Sequence, residues 1–129
     1  MPDYNFEHVH LISENPLKSA EFYVKYLGAV QESVMNMPGG AKAVRLKIKD
    51  SLIIISPPRV SPPVFGLDHF GLTTDNMQAS VAELKAAGCT FRGEPVELFP
   101  GTNIAFFWTP ERVLVELVEE KNKKPEAKP

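Results

Sequence analysis

The residues most able to do chemistry are the chain's three histidines and one misplaced acid. His8 and His10 lie two positions apart in "FEHVHLISENP", within an otherwise apolar run. His69 opens a similar run, "LDHFGLTTDN", and Glu116 interrupts the apolar stretch "VLVELVEE". Two neutral imidazoles and one carboxylate on a common surface suit a divalent metal ion. Such a 2-His-1-carboxylate set leaves coordination positions open for water or substrate. We expect His8, His69 and Glu116 as the ligands. A metal would neutralise Glu116, whose burial unpaired otherwise costs roughly several kcal/mol. His10 shares a strand face with His8, so it is expected beside the metal, contacting substrate or handling a proton. Glu116 is both a ligand and a candidate catalytic group. The plainer alternatives are strand histidines meeting backbone acceptors, and a Glu116 paired with Arg45 or Lys47.

These side chains meet only if the elements carrying them are arranged to bring them together. Residues 8–13 alternate and are rich in Val, Leu and Ile, which predicts a strand. Phe6, His8, His10 and Ile12 lie on one side of it, and Val9 and Leu11 on the other. Asn15 with Pro16 starts a helix, and Gly28 stops it. Leu17, Ala20, Phe22, Tyr23 and Leu27 form its apolar stripe. Strands are then expected over 29–36, 41–49 and 51–56, with a turn at "MPGG". Four prolines crowd the ten residues of "PPRVSPPVFG", which excludes a helix or an interior strand there.

Beyond those prolines the pattern restarts. His8 to His69 and Asn15 to Asn76 are each 61 residues, and Gly28 to Gly88 is 60. A second helix ends at Gly88, and strands are expected over 91–98, 103–108 and 113–119. The chain therefore reads as βαβββ twice. We expect an α+β protein of one domain: a first module over 6–57, a Pro-rich linker over 58–66, a second module over 67–120, and a disordered tail over 121–129. Either half-sheet alone would expose an apolar face and an edge. Joined, they predict a curved, cup-shaped mixed sheet with helices on its outer face and the histidines inside.

The bulk composition narrows the function. The chain has 129 residues, 23% charged and 43% apolar, with a net charge of -2. These are ordinary values for a globular protein and give no electrostatic footprint for nucleic acid or an anionic membrane. No apolar run approaches the roughly 20 residues that span a bilayer. Cys89 is the lone cysteine, so neither an internal disulfide nor a cysteine-based zinc site is available. A cytoplasmic protein with a small-molecule substrate is the expectation.

The repeat, the strand-opening histidines in "FEHVHLISENPLKSAEFYVKYLG" and "LDHFGLTTDN", and the closing "VLVELVEE" resemble the vicinal oxygen chelate superfamily. That group includes glyoxalase I, methylmalonyl-CoA epimerase, extradiol dioxygenases and bleomycin-resistance proteins. The resemblance covers about residues 6–120 and implies metal ligands on the first and last strands of each half. His8, His69 and Glu116 match three of those places. Aligning "SLIIISPP" with "VLVELVEE" sets Ile53 at the fourth, where no ligand atom is available, and Ser56 on the other strand parity. The resemblance implies a glyoxalase-like lyase or isomerase working through an enediolate-type intermediate. Its alternatives are an Fe(II) extradiol-type ring-cleaving dioxygenase and a non-catalytic, bleomycin-resistance-like binder. It also implies a homodimer and a metal among Zn, Ni, Fe(II), Co and Mn.

Overall fold

The first helix begins where its backbone donors find an acceptor. The Asn15 side chain accepts from the Lys18 N–H at 3.2 Å, and Pro16 takes the first helical position, where a missing N–H costs nothing. Gly28 ends the helix with φ at 74°, a left-handed turn that side-chain-bearing residues resist. The same device recurs in the second half, where Asn76 accepts from the Ala79 N–H at 3.0 Å. The computed structural model of the chain describes residues 2–121. The expected disordered tail falls, apart from Lys121, outside the described residues.

The elements run β1 (Tyr4–Ile12), α1 (Pro16–Leu27), β2 (Val30–Asn36), β3 (Lys42–Ile48), β4 (Ser51–Ser56), β5 (Gly66–Thr74), α2 (Met77–Ala86), β6 (Thr90–Phe91), β7 (Val96–Phe99), β8 (Thr102–Trp108) and β9 (Leu114–Glu120). A mixed sheet with two helices is what the doubled βαβββ pattern calls for. One expected strand, over 91–98, is instead the two short strands β6 and β7. Gly93, at φ 83°, and Pro95 interrupt it between them.

Two compact units are distinguished. One is Glu7–Phe70; the other combines Met1–Phe6 with the chain from Gly71 onward. In the first, the strand order is β2-β3-β4-β1-β5. β1 and β4 are parallel, pairing His8 with Leu52, His10 with Ile54 and Ile12 with Ser56. β3 pairs antiparallel with both β2 and β4. Its core gathers Ala20 and Ala29 with Val44, Leu46 and Ile55, flanked by Leu11, Tyr23, Ile48 and Ile53. Helix α1 buries less of its apolar stripe than expected. Ala20 and Tyr23 meet the sheet, whereas Leu17 and Leu27 are exposed and Phe22 is 53% exposed, stacked on Tyr26 at 5.3 Å.

In the second unit, β8 is the spine, pairing antiparallel with β6, β7 and β9. Val115 and Leu117 of β9 are buried, as their alternation predicts. Glu119 is also buried, at 7% exposure. Its carboxylate accepts from the Met77 N–H at 2.7 Å and from Asn103 Nδ2 at 3.0 Å. It thus satisfies an orphan donor at the start of α2 while tying that helix to β8 and β9. Truncating it strands both donors, so Glu119→Ala is expected to cost about 1–3 kcal/mol in urea unfolding. Glu119→Gln, which keeps an acceptor oxygen, should cost distinctly less.

Candidate metal centre

β1 and β5 each carry a carboxylate followed by a histidine. Glu7 Oε1 lies 2.9 Å from His8 Nδ1, and Asp68 Oδ2 lies 2.7 Å from His69 Nδ1. An ionised carboxylate only accepts, so in each pair Nδ1 is the donor. A neutral ring so held presents Nε2 as a lone pair. The two Nε2 atoms face each other at 3.4 Å, 61 residues apart in sequence. Both rings are buried, each at 2% exposure.

Two lone pairs at that distance repel unless positive charge lies between them, as a proton or a cation. The spacing fits a cation. Tetrahedral coordination with Zn–N bonds of 2.0–2.1 Å sets neighbouring nitrogens about 3.3–3.4 Å apart. Carboxylates behind the imidazoles are the usual outer partners of metal-bound histidine, fixing the tautomer and raising its basicity.

His10 joins them. One ligand atom from each of His8, His10 and His69 can be chosen so that all three lie within 4.8 Å of one another. The His10 ring is tilted 33° against that of His69, with centroids 4.7 Å apart. Its Nε2 is 2.7 Å from Ser56 Oγ. Burial, followed by the charges of His69, His8 and Arg59, holds His10 below its ordinary 6.5, at about 4, with Asp68 opposing. His10 is therefore neutral at pH 7 in the metal-free protein. An unfolded chain takes up this proton near 6.5 and the folded one near 4, so the stabilisation is complete above 6.5 and drains away as the pH falls towards 4. Melting of chelator-treated protein should show that acid-side loss, and His10→Gln should flatten it.

Of the residues expected to form the site, His8 and His69 are in contact and His10 is their neighbour. Glu116 lies on β9 in the other unit, half-buried and paired in register with Phe106. Arg45 and Lys47, the alternative partners considered for it, reach Glu32 at 3.5 and 3.6 Å. Two placements are corrected by the register. Ile53 pairs with Val9 and Leu46 and packs on the α1 core, so it shares the face opposite the histidines. Ser56, assigned to the wrong parity from sequence, is on the histidine face and binds His10. Sequence matching slid β4 by one residue, which swaps every side chain between faces. Glu7 and Asp68 were missed altogether. The signal was available: an acid precedes the histidine in both copies, at the repeat's own spacing of 61.

Among the described residues, no helix is long and apolar enough to cross a membrane. A family model described as Glyoxalase/Bleomycin resistance protein/Dioxygenase superfamily matches residues 5–117. No curated protein matches. Several solved structures do. A hypothetical protein from Bacillus halodurans C-125 is 23% identical, with a TM-score of 0.77, and the match covers 98% of this chain and 99% of that one. A Streptomyces coelicolor methylmalonyl-CoA epimerase, in complex with 2-nitronate-propionyl-CoA, is 21% identical, with a TM-score of 0.73 over 95% and 98% of the chains. Methylmalonyl-CoA epimerase from Mycobacterium tuberculosis is 20% identical, with a TM-score of 0.70 over 88% and 86%. At these identities the likeness establishes the fold.

Proposed function

Because the chain belongs to the Glyoxalase/Bleomycin resistance protein/Dioxygenase superfamily, we propose that it is a metal-dependent lyase or isomerase acting on a small molecule with two neighbouring oxygens. The observation carrying this reading is the pair of carboxylate-backed imidazoles meeting Nε2 to Nε2 at 3.4 Å. His8 and His69 would hold the ion, with Glu116 as the third ligand. A bound divalent ion supplies a Lewis acid for negative charge developing on the substrate oxygens. His10 adjoins that position as a neutral imidazole able to take up a proton, its ring held by Ser56. Asp68 and Glu7 hold the two ligand rings in one tautomer. Imidazoles with a carboxylate suit Zn, Ni, Fe(II), Co or Mn.

Epimerases among the structural relatives favour an isomerase over a ring-cleaving oxygenase. A non-catalytic binder is the second reading, supported by the apolar Leu52 and Ile54 that flank the histidines in register. A homodimer belongs to the same proposal, supported by the exposed Val96, Leu98 and Phe99 of β7. The lone Cys89 suits a cytoplasmic setting.

Two measurements test the function. Elemental analysis after metal supplementation should find about one divalent ion per chain. Metal-loaded protein in D2O should exchange a carbon-bound proton of either methylmalonyl-CoA or the hemithioacetal of methylglyoxal and glutathione, followed by NMR. Failure to retain metal overturns the metal-dependent reading. Metal without exchange on either substrate counts against both of these reactions and favours the binder.

A further inference from the structure

Three imidazoles crowd one site, yet the expected ligand set uses only two, and a hydroxyl stands where it can decide the fate of the third. Ser56 is the last residue of β4 and is 3% exposed. Its backbone is pinned on two counts: it pairs in register with Ile12, and its carbonyl accepts from the Ser13 N–H at 2.9 Å. Pro57 and Pro58 follow and stiffen the chain leaving it. The hydroxyl therefore approaches His10 Nε2 from a fixed direction, at 2.7 Å. On its other side His10 rests against the ring of His69. A ring gripped in this way has little freedom to turn. The ligand atoms of His8, His10 and His69 already lie within 4.8 Å of one another, so once the hydroxyl is removed a modest side-chain rotation would complete a three-imidazole set.

We propose that Ser56 is a positioning residue that keeps His10 out of the coordination sphere, so that His8 and His69 bind the metal and His10 remains free to face substrate. The assignment rests on the metal-dependent function proposed above. It also gives a use to a buried serine standing beside the first-half histidines.

The test is metal affinity by competition with a chromophoric chelator, together with the visible spectrum of the Co(II)-substituted protein. Ser56→Ala should bind Zn(II) about 10-fold more tightly, the scale on which outer partners tune metal sites, and should shift the Co(II) bands as a nitrogen ligand is added. Turnover should fall in kcat with KM little changed. Ser56→Thr, which keeps the hydroxyl, should restore the wild-type affinity and spectrum. The double variant Ser56→Ala/His10→Gln should return to wild-type affinity, since the added ligand is gone. Unchanged affinity and an unchanged Co(II) spectrum in a folded Ser56→Ala would overturn the proposal. So would a tightening that persists in the double variant. Wild-type protein that binds no metal would instead bring down the function itself, and this inference with it.

Discussion

Replacing His69 by alanine is expected to lower divalent-metal affinity by more than about 100-fold, and His8→Ala should do the same. The expectation follows from geometry. Two Nε2 atoms 3.4 Å apart have the spacing of a chelating pair, and removing either ring takes away one of the two imidazoles expected to hold the ion. Loss of an outer partner typically costs 10–100-fold in affinity, so loss of a ligand should exceed that range. Asp68→Asn provides the graded comparison. An amide oxygen can still accept from His69 Nδ1 at the position of Asp68 Oδ2, now 2.7 Å away, but without the negative charge that strengthens the ligand. About a 10-fold to 100-fold loss is expected there. Isothermal titration with Zn(II) or Co(II) reads both, with circular dichroism confirming the fold. Wild-type affinity in His69→Ala would mean that the three histidines are only packed against one another.

Leu46→Ala should be the most damaging of simple truncations in the first unit, costing about 2–5 kcal/mol. Leu46 has no exposed surface and sits on β3 between Gln31 and Ile53, within the cluster that α1 covers. Cutting it back removes its apolar burial and leaves a cavity that neighbours in two strands and a helix cannot all close. Leu46→Met, nearly equal in volume, should cost less than about 1.5 kcal/mol. Urea unfolding with an unchanged m-value is the check. The alternation that points Leu46 at the helix points its neighbours Arg45 and Lys47 towards the histidine side. Metal affinity of the still-folded variant should therefore change little, separating stability from the site.

The contrast between those two residues shows what was readable in advance. Leu46 and its alternating partners declared their face through period two alone, and Asn15 and Asn76 declared both helix starts. That His8 and His69 would meet was legible because a duplicated chain repeats its pattern at a fixed interval. What failed was register between strands distant in sequence. Nothing in "SLIIIS" distinguishes Ile53 from Ile54, since each is as apolar as the other, and only the pairing with β1 assigns their faces. Ser56 was lost by the same one-residue slip. Glu119 was hidden among three acids in "VELVEE", because its value lies in donors from α2 and β8 that no local pattern announces. Phe22 and Leu27 fit a helical stripe, but a sheet covers only as much of a helix as it can reach.

The carboxylate–imidazole clamp occurs twice, once in each copy of the repeat, but the copies diverge around it. The divergence that bears on the site is two places further on: His10 in the first copy, and Gly71 in the second. A substrate reaching an ion held by the two clamps would meet the His10 imidazole on the side of the first copy and only a glycine, Gly71, at the matching place of the second. On the proposed function, that difference would leave the ion with an imidazole on one flank and none on the other.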